Sequence, residues 1–422
     1  MINAIRGMND ILPDEAAKWR LVEDTTHRIF SNYGFSELRP PVMEKAELFL
    51  RGIGDDTDVV EKQMYTFTDK SGDSVSLRPE ATACVLRAVI EHGLLNKDPI
   101  VKLYCMGPMF RYERPQKGRY RQFHQINAER LGEDGPLADA ETLAMAYDLA
   151  SSILGKDVLL MEVNSLGCRQ CRPVFKEALQ RFLASREESL CSDCRRRMHT
   201  NPLRVLDCKV PGCREAVQGA PLIEDHLCAD CRTHYETVLT GLDAFGVKFE
   251  KNPRLVRGLD YYTRTTFEIS ATGLGSQNAI AGGGRYDDLL STLDGPAVGG
   301  IGFAFGMERM IMLMKDRSEH LKGCFVVAQA DTRVEQAALT LISELRASGI
   351  RAEAAFGKSF KAQMRRADKA GYPACIIIGE REVDSSTLSV KDMVADVPQR
   401  TIRREDALEV ITGMLSSKGD NT

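Results

Sequence analysis

The sequence has 422 residues, 43% hydrophobic and 27% charged, the balance of an ordinary globular chain with volume for two or three domains and real cores. Its 56 Lys and Arg against 60 Asp and Glu give a formal net charge of -4, which excludes a global basic field for nucleic acid and leaves any such binding to local patches. No apolar run approaches the roughly 18 residues of a membrane span, and "MINAIRGMNDILPDEAAKW" lacks the basic end, apolar core and cleavage site of a signal peptide, so a cytoplasmic chain with no membrane partner is expected.

After Pro13, "DEAAKWRLVEDTTHRIFSNYG" reads as a helix. Asp14 suits its start, Ala17, Leu21, Val22, Ile29 and Phe30 form an apolar face, and Gly34 suits its stop. "FSELRPPVME" is extended, because Pro40 and Pro41 exclude helix. "VSLRPEATACVLRAVIEHG" starts as a strand and turns helical after Pro79. "IVKLYCMGPMFRYE" and "RYRQFHQINAERLG" flank "RPQKG", the pattern of an antiparallel hairpin with a charged loop. A cysteine-rich stretch covers roughly 168–248. Extended structure resumes at "RLVRGLDYYTRTTFEIS", "AIAGGGRYDDLL" reads as a glycine turn, and "GGIGFAFGMERMIMLM" runs from a glycine-rich entry into a helix. From residue 324 strands and helices alternate ("CFVVAQA", "EQAALTLISELRASG", "IRAEAAF", "SFKAQMRRADKAG", "ACIIIG", "REDALEVITGMLSS"), which argues for a separate small α/β domain over 324–422.

The hairpin concentrates charge. Arg111, Arg114, Lys117, Arg119 and Arg121 fall between Phe110 and His124, with Glu113 as the sole acid. A solvated turn accounts for loop charges, but Arg111 and Arg121 sit on the flanking strands, where not every side chain faces water. Planar guanidinium groups on rigid strands suit a polyphosphate, or else need nearby acids.

These segments resemble a known family. "MFRYE" in such a hairpin is similar to the second signature of class II aminoacyl-tRNA synthetases, "GMERM" after "GGIGFAF" to the third, and "LRPPVME" to the first, whose proline lies at a dimer interface. "RGLDYYTRTTFE" and "AGGGRYDDL" resemble the two motifs of histidyl-tRNA synthetases, and "LRPEAT" resembles their amino-acid loop. The resemblance covers essentially the whole chain. It implies an α+β catalytic core with an antiparallel sheet of the class II type over 1–323, a small helical Cys-rich insertion at 168–248, and an anticodon-binding α/β domain.

The resemblance further implies a histidine–tRNA ligase: L-histidine and ATP form histidyl-adenylate and pyrophosphate, and histidine then passes to the 3′ end of its tRNA. A carboxylate with a pKa of about 3.5 is already ionised at neutral pH. The first step therefore needs positioning and charge neutralisation, supplied by arginine and Mg2+, and no general base. Arg111 would hold the α-phosphate, Glu113 contact the adenine and Phe123 stack on it. Arg119 and Arg121 would approach the phosphates, and Arg309 close from the other side. Arg257 would reach the reacting carboxylate, the alternative being an ion pair with Asp260 or another acid. Glu80, Ala81, Thr82 and Gln125 match positions that hold the α-ammonium. Glu129 would accept from one imidazole nitrogen and Tyr262 bond the other, with Tyr261 and Tyr286 lining the pocket. Glu80 would also suit a helix N-terminus, and Gly282 to Gly284 a turn or a close backbone approach. Asn127 stands where the family has glycine; an amide there narrows the pocket or adds a hydrogen bond. Gln116 and Lys117 are candidates for the tRNA acceptor end. Lys358, Lys361, Arg365, Arg366 and Lys369 suit either an anticodon contact or a solvated helix face. A homodimer is implied by the family.

Eight of the twelve cysteines form four pairs: Cys168–Cys171, Cys191–Cys194, Cys208–Cys213 and Cys228–Cys231. Three are CxxC, a spacing that brings two thiolates to one tetrahedral ion, so two structural zinc sites would use all eight. Pairing in sequence order gives Cys168, Cys171, Cys191, Cys194 and Cys208, Cys213, Cys228, Cys231; interleaved pairing, or His199, His226 or His234 in place of a thiolate, stays open, as do disulfides and free thiols. In the family the insert clasps the tRNA acceptor arm, and some members lack these cysteines. Two rivals remain: a synthetase-like regulatory subunit that binds histidine without charging tRNA, and a class II enzyme for proline or threonine, against which "RGLDYY" and Glu129 speak.

Overall fold

Pro13 opens the first helix, α1 (Pro13–Asn32), at a position where its missing N–H costs nothing. Asp14 and Glu15 complement the dipole there, and Gly34 leaves the helix at φ +79°. The buried face is Trp19, Val22, Thr26, Ile29 and Phe30. Ala17, expected on that face, is exposed and Leu21 is half-buried, so the helix is turned to seat Trp19. The computed structural model describes residues 2–54, 57, 59–257, 261–273, 278–315, 323–395 and 397–416; Gly258, Leu259 and Asp260 of the "RGLDYY" segment lie outside these. The chain forms two compact units, Met1–Met314 and Lys315–Thr422.

The first unit continues with β1 (Ser36–Glu37), β2 (Met43–Lys45), α2 (Ala46–Ile53), β3 (Tyr65–Thr68), β4 (Ser74–Leu77), α3 (Thr82–Glu91), α4 (Leu94–Lys97), β5 (Val101–Phe110), β6 (Gln122–Leu131), α5 (Pro136–Leu154) and β7 (Leu159–Ser165). Four helices make the cysteine-rich segment: α6 (Cys171–Ala184), α7 (Ser192–Thr200), α8 (Pro211–Ala216) and α9 (Ala229–Ala244). Then come β8 (Phe249–Lys251), β9 (Thr263–Ala271), β10 (Ala279–Tyr286), α10 (Leu289–Thr292), β11 (Gly300–Gly306) and α11 (Met307–Leu313). Eight strands form one sheet in the order β1-β5-β6-β11-β10-β9-β7-β8, and β2-β4-β3 form a small second sheet. The large sheet is antiparallel except at its edges, where β1 runs parallel to β5 and β8 to β7.

Alternation on the strands sorts the two faces. Ile126 and Ala128 of β6 and Ile301, Phe303 and Phe305 of β11 join the core beneath α1, α5, α9 and α11. Gln125, Asn127 and Glu129 alternate with them and face the other way, as do Gly302 and Ala304. Glycine-rich "AIAGGGRY" is a central strand, not a turn. It pairs with β11 on one side and β9 on the other. Glycine is permitted there because the volume above each Cα is already filled. A Cβ on Gly283 would meet that of Phe303 at 2.7 Å, and one on Gly284 would lie 2.5 Å from the Thr265 carbonyl. The "GGIGFAFG" entry before α11 is likewise a strand, β11.

In the second unit β12 (Gly323–Ala328), α12 (Thr332–Ala347), β13 (Arg351–Ala354), α13 (Phe360–Lys369), β14 (Ala374–Ile378) and α15 (Ala407–Ser416) follow the sequence pattern. Asp331 caps α12, accepting from the N–H groups of Arg333 at 2.9 Å and Val334 at 3.2 Å. The pattern missed α14 (Glu380–Ser385) and two strands, β15 (Thr387–Asp392) and β16 (Arg400–Arg403). These strands extend a parallel β13-β12-β14 core antiparallel, giving a mixed five-stranded sheet.

Candidate active site

A cleft of about 790 Å³ lies over the glycine-floored face of the large sheet. Cross-strand pairing sets its floor in rows. Glu129 stands beside Gly302, which stands beside Gly284; Asn127 stands beside Ala304, then Gly282, then Glu268. Small residues on β10 and β11 thus leave volume for long side chains on their neighbours. A Cβ on Gly302 would collide with the Glu129 carboxylate, and one on Gly282 would sit 2.6 Å from Arg257 Nη1. Arg111, Arg257 and Arg309, three arginines far apart in sequence, line this one cleft.

Each arginine is held at its base by backbone. Arg111 follows the last residue of β5 and Arg121 precedes the first of β6, so both stand just outside the strands on which they were expected; Arg111 donates from Nε to the Pro79 carbonyl at 2.8 Å and lies over the Phe123 ring at 5.3 Å. Arg309 occupies the first turn of α11 and donates to the Gly118 carbonyl at 3.1 Å and the Ala279 carbonyl at 2.5 Å, so it ties the hairpin loop to β10. Burial lowers the pKa of both guanidiniums from the usual arginine value, as expected where cations stand in partly desolvated space. Arg257 pairs with Glu268 on β9. That ion pair and a place in the cleft hold together, and its Nε is buried without a partner among the described residues. Glu113 and Arg119 also line the cleft and pair at 3.3 Å. Arg121 is turned away, stacked over Tyr112 at 4.0 Å from the ring centre, with its Nε on the Glu113 carbonyl at 3.3 Å. Gln116 and Lys117 are exposed at the hairpin tip.

At the other end two carboxylates are buried. Glu80 accepts from the N–H groups of Thr82 and Ala83, both at 2.9 Å, and so caps α3. Ala81 between them is wholly buried in the cluster beneath that helix. Glu129 accepts from the Thr82 hydroxyl at 2.7 Å and from the Tyr286 hydroxyl. Burial raises both carboxyls, that of Glu129 to about 8. Tyr261 packs between Tyr262 and Tyr286 at ring separations of 4.6 and 5.8 Å. The buried Gln125 Oε1 and Asn127 Oδ1 have no partner among the described residues.

Sequence reasoning missed Glu268 and the insert's share of the cleft wall, which includes Arg204, Asp207, Cys208 and Lys209. Glu268 carried a signal: one acid between the buried Phe267 and Ile269 of β9. Arg285, next to the three glycines, does not reach the cleft. It is wholly buried, with Nε on Asp139 Oδ1 at 3.0 Å and Nη1 on Asp287 at 3.3 Å, and locks β10 to α5.

The eight insert cysteines come together, but not in sequence order. Cys168, Cys171, Cys228 and Cys231 form one group and Cys191, Cys194, Cys208 and Cys213 the other, each with its sulfurs within 4.8 Å of one another. The pairing is nested, because α6 leaves the sheet and α9 returns, which brings the first pair to the last. Sulfurs stand 3.7 Å apart in Cys168–Cys171, 3.9 Å in Cys168–Cys228 and 4.0 Å in Cys191–Cys208. A tetrahedral ion with bonds of about 2.3 Å places its sulfurs about 3.8 Å apart, and all twelve cysteines are free thiols. Backbone N–H groups of Cys228 and Cys191 donate to Cys171 and Cys213 at 3.1 Å, which favours thiolate. Among the described residues no histidine completes either group.

An antiparallel sheet with an arginine at the end of a hairpin strand, and another on the helix after the last strand, is the architecture of a class II aminoacyl-tRNA synthetase. The sequence profile "Histidyl-tRNA synthetase" matches residues 7–310, and "Anticodon binding domain" matches residues 323–414. The chain belongs to the histidyl-tRNA synthetase family. It is 52% identical to the histidine–tRNA ligase of Trichlorobacter lovleyi over 96% of this chain and 97% of that one. It is 49% identical to that of Desulforapulum autotrophicum over 99% of each. The apo histidyl-tRNA synthetase of S. aureus superposes with a TM-score of 0.81 at 36% identity, covering 97% of this chain and 100% of that one. An ATP phosphoribosyltransferase regulatory subunit/histidyl-tRNA synthetase from Bacillus halodurans shares the fold, with a TM-score of 0.68 at 19% identity over 90% of this chain and 98% of that one.

Proposed function

We propose that this chain is a histidine–tRNA ligase whose cleft joins the histidine carboxylate to the α-phosphate of ATP and then passes histidine to tRNA. The observation that carries the reading is the convergence of Arg111, Arg257 and Arg309 on one cleft that also holds Glu129 and Tyr262. Adenylate formation is an in-line displacement in which pyrophosphate leaves with the electron pair of the broken P–O bond. Its demand is charge neutralisation, which three fixed guanidiniums and the Mg2+ of the ATP complex meet. Arg111 holds the α-phosphate, and Arg257 bridges it to the carboxylate. Arg309 faces the outer phosphates, Phe123 stacks on adenine, and Glu113 accepts from its amino group. Arg119 is the further cation at the phosphates; Arg121, stacked on Tyr112, lies outside the cleft.

Glu129 accepts from an imidazole N–H, and an apolar amino acid would leave that buried acid unpaired. Gln116 and Lys117 meet the tRNA acceptor end, the helical insert lies along the acceptor arm, and the second unit reads the anticodon. The regulatory alternative is disfavoured because all three arginines and the second unit are present. The two cysteine groups fit zinc, since soft thiolates in tetrahedral sets of four suit that ion; each would staple the insert without touching a reacting atom. The working form is a cytoplasmic homodimer, and among the described residues no helix is long and apolar enough to cross a membrane. Charging of histidine tRNA by the purified protein tests the reading. Histidine ester-linked to tRNA is expected, and histidine binding without charging would favour the regulatory role.

A further inference from the structure

Asn127 sits in the middle of β6 with 1% of its surface exposed, and its Oδ1 is buried without a partner among the described residues. Native proteins keep few such groups without a use. Its neighbours across β11 and β10 are Ala304 and Gly282, whose side chains offer no donor, and the thiol of Cys105, opposite on β5, makes no hydrogen bond to it. Among the acceptors that line the same cleft are Gln125 Oε1, also buried and without a partner among the described residues, and the Glu80 carboxylate.

We infer, resting on the histidine reading of the cleft, that Asn127 Oδ1 accepts a hydrogen bond from the α-ammonium of the substrate and completes a set of three acceptors with Glu80 and Gln125. An ammonium has three N–H donors and no acceptor, so three converging acceptors are its complement. Spacing selects the ammonium over the imidazole. Alternate residues on a strand stand about 6.8 Å apart, and histidine spans roughly 6 Å from ammonium to distal ring nitrogen, five bonds of about 1.5 Å. With that ring nitrogen at Glu129, the ammonium falls one alternate position back, over Asn127. Gly282, beneath the Arg257 guanidinium, lies two strands across, about 10 Å from Asn127, which leaves room for the carboxylate between.

The amide also suits its surroundings. Burial already pushes Glu80 and Glu129 toward their neutral forms, and a third acid would join them in the same desolvated space. A neutral carbonyl adds an acceptor without adding charge. The contact serves the part common to all amino acids, so Asn127 sets affinity while Glu129 sets selectivity.

Calorimetric titration of the full-length protein with two probes tests the assignment. L-Histidinol carries the ammonium without the carboxylate; imidazolepropionate carries the carboxylate without the ammonium. Asn127→Ala is expected to weaken histidinol about tenfold, in line with loss of a hydrogen bond to a charged group, and to leave imidazolepropionate within twofold. KM for histidine rises by a similar factor and KM for ATP does not. Equal weakening of both probes, or of neither, overturns the assignment. Asn127→Asp keeps size and acceptor and carries the test should the alanine variant not fold: histidinol binding at or above the unsubstituted strength is expected, and a tenfold loss overturns it. If the unsubstituted protein shows no histidine-stimulated ATP–pyrophosphate exchange, the reading of the cleft fails. If it does, and histidinol binding is indifferent to residue 127, only the role of Asn127 fails.

Discussion

Replacing Glu129 by Gln should make the ligand-free protein more stable at neutral pH while impairing histidine use. Burial moves the Glu129 carboxyl from 4.5 to about 8, and the donated bonds from Tyr286 and Thr82 oppose this without cancelling it. The group's folded pKa is raised and it is an acid, so the folded state holds the proton longer than the unfolded chain. Below pH 4.5 both forms are protonated and the group costs nothing. Between 4.5 and 8 only the unfolded chain releases its proton, and stability falls as pH rises. At about 1.4 kcal/mol per pH unit, roughly 3 kcal/mol has gone by pH 7. The amide has no such titration. Thermal melts of both proteins at pH 5, 6, 7 and 8 should show the variant gaining several degrees on the parent across that range. The variant's KM for histidine should rise about tenfold or more, because an amide cannot give up a proton to become the charged acceptor that a bound imidazole N–H favours. A melting difference independent of pH would refute the argument, since it would mean that Glu129 is ionised in the folded protein throughout.

Arg257→Ala should lower kcat for adenylate formation by at least about 100-fold, the scale for loss of one donor to developing charge. ATP binding should persist through Arg111 and Arg309, as single-turnover quench and nucleotide titration would show. Gly282→Ala should lose most activity yet melt near the parent, because the added methyl meets only the movable end of Arg257; Gly283→Ala meets backbone and should destabilise the fold. Metal analysis of protein purified without chelator should find two zinc ions per chain. Cys171→Ser and Cys194→Ser should each lose one, and zinc binding in sequence-order groups would be exposed by cobalt-substituted spectra of paired variants.

The hairpin was legible because alternating apolar runs flank a Gly- and Pro-bearing charged loop, and the arginines were legible because each sits in a long motif. The central strand β10 was not, since three consecutive glycines carry no strand propensity. They are tolerated there by what lies above them, Phe303, Thr265 and Arg257, and no local pattern records that. Strand β16 was missed because "RTIR" is short and polar, as edge strands are, and β15 because only Leu388 and Val390 alternate within "TLSVKD". The nested cysteine pairing depends on α6 and α9 running out and back from the sheet, which spacing alone does not encode. Arg121 and Arg111 adjoin across the hairpin through a backbone bond of 2.9 Å, yet only Arg111 turns inward, because Tyr112 offers Arg121 an aromatic face.

The claim beneath all of this is that one cleft brings a triphosphate and a histidine together. ATP–pyrophosphate exchange, run with each of the twenty amino acids in turn on the purified chain, tests it most directly. Histidine alone should stimulate exchange, and Arg111→Ala, Arg257→Ala and Arg309→Ala should each suppress it. Stimulation by a different amino acid, or by none, would contradict the account.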